Sequence, residues 1–379
     1  MKADMLIKNG RVVDPVRNFD GRAYIAVKDG RIAAVPTGET VQANCELDAA
    51  GALVLPGLID YHVHVFSCCC DFAINPSLLA ATGVTTAVDP GTAGAANFEA
   101  FEAFAKFQAV RLRYLLNVSS GGLPTLKYCE NVNPAAWDRE RIAKVIREHK
   151  LCAGLKVRQS RNIVGALGLT PLKEAVKLAS ELKTRCVVHV TDPPCSMGKL
   201  ADELRPGDVF CHLYHGQGQT MLDERGNVLP ELREARKRGV IFDAANGRNH
   251  FRFEIAEAAL AHGFAPDIIS TDATVLSFNK SCAFSLPNLM SKYLVLGMDM
   301  MSVARSVTET PAKLIGLAGK IGTLTPGAAA DITVLAEKPA KIIYDDIYGG
   351  RRESGSTLVP QLTVKDGQIL FRAQDFSRV

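Results

Sequence analysis

The chain reads as an α/β protein: a TIM-like (β/α)8 barrel with a β-sandwich domain formed from both termini. Three observations predict this. Eight short apolar runs alternate with helical stretches through the middle of the chain, which is the count and span of such a barrel. Hairpin signals crowd the N-terminal residues 1–55. The same signals return near the C-terminus.

The N-terminal signals come in order. MLIKNGRVVD (5–14) reads as strand, Asn9-Gly10 turn, strand, a strong hairpin pattern. AYIAVKDGRIAAV (23–35) repeats it around Asp29-Gly30, and ELDAAGALVLPG (46–57) closes the region at Pro56-Gly57. GTLTPGAAADITVLA (322–336) and PQLTVKDGQILFR (360–372) echo these segments. The reading is one sandwich from 1–55 and 320–379 around a barrel of 56–319. A separate late domain fits the pattern equally well.

The barrel runs are GLIDYHVHV (57–65), GVTTAVDPG (83–91), RLRYLLNVSS (111–120), CAGLKVR (152–158), RCVVHVTD (185–192), DVFCHLYHG (208–216), GVIFDAANG (239–247) and PDIISTDAT (266–274). Between them, NFEAFEAFAKFQAV, PLKEAVKLASELK and LPELREARKRG place apolar residues at helical spacing. A doubly wound sheet is the competing architecture. It usually has fewer strands and often a glycine-rich phosphate loop; no GxGxxG opens a helix here and no GxxxxGK[ST] occurs.

Composition narrows the function classes. A chain of 379 residues buries well over half its unfolded surface without a covalent staple. With 47% apolar and 22% charged residues it is neither disordered nor collagen-like. A net charge of +4, spread evenly, is too little for a nucleic-acid footprint, so nucleic acid is not an expected partner. The ten cysteines read as reduced thiols, mostly small core residues. The run Cys68-Cys69-Cys70 is the odd feature, and as a nucleophile it would be redundant beside a metal site. The first residues hold no apolar signal core, and no apolar stretch approaches the ~20 residues of a spanning helix. The expectation is a soluble, cytoplasmic protein without a membrane partner.

In a barrel, chemistry sits at the C-terminal ends of the strands. Run one ends in His62-Val63-His64, and residues two apart on a strand share a face. Run four carries Lys156 inside an apolar segment. Run five ends in His189, run six in His212 with His215 close behind, and run eight in Asp272. One H-x-H among eight histidines is weak, and each residue alone could be a satisfied core polar group. The recurrence at one end of the barrel is the signal. Imidazoles and carboxylates are the usual ligands of zinc and similar ions. An ammonium beside cations would be repelled, so Lys156 would either lose its proton or react with carbon dioxide to give an anionic carbamate.

Several segments together resemble the amidohydrolase superfamily, in its dihydroorotase-like, two-metal branch. They are LIKNGRVVDP, LPGLIDYHVHV, GLKVR, VVHVTD, CHLYHG, PDIISTDA and TPAKLIGLAGKIGTLTPGAAADITVL, which cover nearly the whole chain. The resemblance implies a binuclear centre of two divalent ions, with zinc expected. It implies His62, His64 and Asp272 on the more buried ion, His189 and His212 on the other, and carboxylated Lys156 bridging them. His215, three past His212, falls in the loop. Two cations sharing a water lower its proton affinity, to a pKa near ~7 in favourable sites. Asp272 would take that proton and deliver it to the leaving group.

Departures narrow the substrate. Dihydroorotases of the superfamily usually follow H-x-H with x-Arg, but here Phe66 stands at that place and disfavours ring opening. The single-metal type with a cysteine after the second strand finds no cysteine in AVDPGTAGA. A frequent His-Gly after strand seven is Asn246-Gly247 here, and Thr274 follows the metal Asp. The branch most resembled is a deacetylase group with segments like SLPNLMSKYLVLGM (285–298). It implies removal of a small acyl group from an N-acyl amino acid or an O-acyl 2-hydroxy acid, such as an acetyl-mandelate ester. Candidate partners for such a substrate are Arg158, Arg161, Asn246, Arg248, Arg252 and His215; an arginine fork suits a carboxylate. Ser119–Gly122 reads mainly as a turn. Two alternatives stand: a cyclic amide hydrolase of the dihydroorotase or hydantoinase kind, and a non-catalytic scaffold on the same fold. Association into homo-oligomers is common among barrels of this kind.

Overall fold

A computed structural model describes residues 2–36, 41–280 and 282–376; Met1, 37–40 and 377–379 of the expected terminal unit lie outside it. The chain begins with β1 (Lys2–Asp14), β2 (Phe19–Lys28), β3 (Arg31–Ala34), β4 (Gln42–Asp48) and β5 (Leu53–Pro56). There follow β6 (Leu58–Asp60), β7 (Val84–Asp89), β8 (Arg111–Asn117), β9 (Cys152–Arg158), β10 (Cys186–His189), β11 (Val209–Cys211) and β12 (Ile241–Asp243). It closes with β13 (Ile332–Asp345), β14 (Arg351–Lys365) and β15 (Gln368–Arg372).

The first five strands and the last three share one mixed sheet in the order β15-β14-β13-β5-β1-β2-β3, with β4 beside β1. The two ends of the chain meet where β5 runs antiparallel to β13, Val54 opposite Val334. Their apolar residues form a common core: Ile7, Val12, Ile25, Val54, Ile332, Val334 and Leu362 are all buried in it. The hairpins expected at Asp29-Gly30 and Asp366-Gly367 are present, closing β2–β3 and β14–β15. The one expected at Asn9-Gly10 is not. β1 runs straight through, and Asn9 sits at φ 57° in a bulge. The bulge lets β1 change neighbours, from β4 along residues 2–8 to β5 at residues 11–12. Gly10 is needed there for closeness, since a Cβ would lie 2.4 Å from Val54.

Seven parallel strands form the second sheet, β12-β11-β10-β9-β8-β7-β6. Their residues are almost entirely buried, which is why the runs lack alternation. The eighth run is not a regular strand. Residues 268–273 join β12 and the segment after β6 through isolated parallel bridges, Asp243 with Ile268 and Val63 with Ala273. Side chains replace the ladder: Thr271 donates through N and Oγ1 to Asp60, and Ser270 Oγ to Asp243. Asp272 then turns at φ 46°. Helices such as Thr170–Glu181, with Leu172, Ala175 and Ala179 buried, cover the outside. Among the described residues no helix is long and apolar enough to cross a membrane.

The sheet clasps the barrel. Thr333 and Thr363 donate to the carbonyls of Gly83 and Ala80. The β13–β14 hairpin carries its tip to the barrel, where Asp346 accepts from the N–H groups of Phe253, Tyr348 and Gly350, each at 2.8 Å.

Candidate metal centre at the barrel mouth

His62 and His64 follow β6 directly, and Val63 between them is held by its bridge to Ala273. Both imidazoles therefore turn inward. Their Nε2 atoms stand 3.7 and 3.5 Å from Asp272 Oδ1. Behind them, His62 Nδ1 meets Asp243 Oδ2 at 3.3 Å and His64 Nδ1 meets Thr92 Oγ1 at 2.9 Å. A carboxylate on Nδ1 holds that proton and leaves the Nε2 lone pair facing the site, an arrangement usual in metal-ligating histidines. His212 is oriented likewise: Nδ1 donates to the carbonyl of Ala245 at 2.8 Å, and its buried Nε2 has no partner.

Asp272 joins two groups. Oδ1 faces His62 and His64, while Oδ2 lies 3.6 Å from Nε2 of His250. The ligand atoms of His62, His64 and Asp272 lie within 4.8 Å of one another, and so do those of His212, His250 and Asp272. His189 packs edge-on against His212, ring centroids 4.3 Å apart. Lys156 is buried on β9, its Nζ 3.9 Å from Cys211 Sγ. Gly91 gives that side chain room, since a Cβ there would lie 2.8 Å from Lys156 Cγ.

Burial dominates the electrostatics. It drives His62, His64, His189 and His212 well below the ordinary imidazole pKa, with the Lys156 charge acting in the same direction. It takes His250 down to about 3. The same desolvation raises Asp272 to about 8, Asp60 to about 7 and Asp243 to about 6. Neutral imidazoles with aligned lone pairs beside three buried carboxyls form a donor set short of positive charge. Such a set fits divalent cations.

These groups floor a cavity of about 140 Å³, lined by His62, His64, Lys156, His189, His250 and Asp272, with Arg158, Arg248 and Thr274 at its sides. Phe72, Leu123, Leu126 and Leu276 make an apolar wall. His212 lies behind His189 and His250 rather than on the cavity surface.

Of the substrate candidates, Arg158 and Arg248 reach the cavity and four others do not. Asn246 turns into the core, its Oδ1 accepting from Lys292 at 2.7 Å and its Nδ2 donating to Tyr293. Arg161 bonds Pro193 O beside Asp192, and Arg252 pairs with Glu254 over the Tyr348 ring. His215 is buried in the turn after His212, accepting from Gln217 N. Phe66 packs on Phe101 in the core, and Cys68–Cys70 are free thiols that do not line the cavity.

The residue that sequence reasoning missed is His250. It lies in the loop after β12, between the candidate arginines at 248 and 252 but outside any strand pattern. Its signal was the preceding Gly247. At φ 52° and with a Cβ position only 2.5 Å from Asp272 Oδ2, Gly247 marks where loop and aspartate close on each other.

A sequence model of the amidohydrolase family matches residues 53–370. The chain belongs to the amidohydrolase family. It is 36% identical over 333 residues to a deacetylase of Agrobacterium fabrum, spanning 85% of this chain and 80% of the relative. It is 30% identical over 376 residues to a deacetylase of Enterococcus faecalis, spanning 97% and 99%. A crystal structure of an adenine deaminase superposes with a TM-score of 0.90 at 29% identity, covering 98% of this chain and 100% of that one. As an amidohydrolase the chain is a hydrolytic enzyme, and its His/Asp groups could hold divalent metal ions.

Proposed function

We propose that the chain is a two-metal deacetylase that removes a small acyl group, such as acetyl, from an N-acyl amino acid or an O-acyl 2-hydroxy acid. The observation that carries this is the cluster of His62, His64, His189, His212 and His250 about Asp272, beside a small, apolar-walled cavity. The deacetylase names of relatives matched over most of their length agree with it. The catalytic unit is the 56–319 segment, with residues 268–273 standing in as its eighth barrel strand, and 1–55 with 320–379 forms the second unit.

In this reading His62, His64 and Asp272 would hold one cation, His189 and His212 would hold the second, and Lys156, carboxylated by carbon dioxide, would serve as a further anionic ligand. Zinc is the expected metal. When bound, the two cations supply a water of lowered proton affinity and a Lewis acid for the acyl carbonyl. Asp272 accepts a proton and releases it to the departing amine or alcohol. Its burial suits the task, because little water reaches the carboxyl to compete for the proton it carries. His250, on the opposite oxygen, fixes the rotation of that carboxyl.

The test is a panel of acetylated amino and 2-hydroxy acids, both enantiomers, with a cyclic diamide beside them and zinc added. Acetate release from the acids is the expected result. Turnover of the cyclic diamide alone would favour a ring-opening amidohydrolase. Less than one divalent ion per purified chain, with no turnover, would favour the scaffold reading.

A further inference from the structure

Arg158 lines the cavity and is paired with Glu130, and the cation chemistry uses neither. Arg158 is two residues from Lys156 on β9, so both leave the strand on one face. Arg158 stands nearer the mouth, opposite His189 across the β9–β10 ladder, and lines the cavity. Its one hydrogen-bonded partner among the described residues is Glu130, with Nη1 donating to Oε2 at 2.9 Å. The Glu130 side chain is 0% exposed and that of Arg158 is 19% exposed. One carboxylate occupies only part of a guanidinium's five-donor fork. Held on that side, the fork is preorganised to receive a second carboxylate from the cavity.

The other arginines lack this preparation. Arg248 reaches the cavity but is exposed, and its Nε is taken by Asn249 at 3.2 Å. Arg161 and Arg252 are engaged outside the cavity. Glu130 also belongs to the connection between β8 and the helix Arg139–Glu148, which supplies Leu123 and Leu126 to the apolar wall. Pinning Glu130 to Arg158 therefore ties that wall to the strand.

We propose that Arg158 recognises the substrate's carboxylate and that Glu130 is the positioning residue which holds its guanidinium. The substrate is then an acylated α-amino or 2-hydroxy acid whose apolar side chain lies against Leu123 and Leu126. This rests on the deacetylation reading above.

The test uses the full-length, zinc-loaded protein with the best substrate of the acetylated-acid panel and its primary carboxamide as the neutral counterpart. In the unaltered protein, kcat/KM for the acid should exceed that for the carboxamide by about 100-fold or more. Arg158→Met should erase that ratio by raising KM for the acid, while the carboxamide changes less than about tenfold. Since this variant leaves Glu130 buried and alone, Glu130→Gln/Arg158→Met is measured beside it and should erase the ratio equally. Glu130→Gln alone should raise KM for the acid more than it lowers kcat.

A ratio near one in the unaltered protein, with acetate released from both compounds, overturns the assignment and leaves deacetylation standing. So does a preference for the acid that survives in the double variant. If the variants' rates fall below detection, the melting-temperature shift produced by the deacetylated acid decides. A shift retained in the double variant overturns the proposal, and a shift lost supports it. Release of acetate from no compound overturns the deacetylation reading and this inference with it.

Discussion

At Lys156 a single side chain carries the sharpest expectation. An amine in that place would repel cations, whereas a carbamate would bind them. Lys156→Ala should lower the metal content from about two ions per chain toward one or none, and activity with it. Formate or acetate should restore part of both. Full metal content measured by elemental analysis in the variant would reject the bridging role. Asp272→Asn keeps the shape and removes the proton acceptor. Turnover should fall by about 10²–10⁴-fold while the far-ultraviolet spectrum is unchanged. Near-normal turnover would remove Asp272 from the chemistry.

Lys292 offers a pH signature away from the centre. Its ammonium lies 3.7 Å over the Phe251 ring, and burial lowers its pKa to about 7. In the unfolded chain a lysine titrates near 10.4. Between about pH 7 and 10 the unfolded state therefore holds a proton that the folded state lacks, so folding is favoured as pH rises through that window. Relative to Lys292→Met, the unaltered protein should gain up to about 1.4 kcal/mol per pH unit there. Melting curves that stay parallel from pH 7 to 10 would contradict the burial argument.

At the scale of elements, periodicity exposed most of what matters and local chemistry hid the rest. The seven regular strands of the barrel were legible because continuous apolar runs ending in His, Lys or Asp have few other uses. The Asn9-Gly10 hairpin failed because the same dipeptide serves a bulge, and only the presence of both β4 and β5 beside β1 selects between the two. The eighth run kept its place without becoming a strand, because Asp60 and Asp243 capture its hydroxyls. The loop carrying His250 depends on Gly247. Gly247→Ala should cost about 1–3 kcal/mol of stability and lower turnover by displacing Asp272. Gly51→Ala is the control: it shares a positive φ, 84°, but has nothing within 4 Å to strike. Equal activity in the two variants would show that crowding at Gly247 is unimportant.

For the whole molecule, the fold narrows the chemistry without choosing the reaction. An adenine deaminase shares this architecture, while relatives similar in sequence over most of the chain are deacetylases. Here the terminal sheet reaches the segment that follows the His250 loop. Asp346, at the hairpin tip, caps the chain just after the His250 loop. Asp346→Ala should leave the Phe253 N–H unsatisfied, cost about 1–3 kcal/mol, and reduce turnover together with stability. Loss of stability with unaltered kcat would confine the sheet to a structural role.

The sequence by itself determined the class of fold, the order of its strands and the positions of His, Lys and Asp near their ends. Each of these depends on spacing between near neighbours along the chain. Tertiary structure alone decided that His250 joins Asp272, that Asn246 turns away, and that Glu130 grips Arg158. These are meetings of loop residues brought together by packing, and no period in the chain marks them.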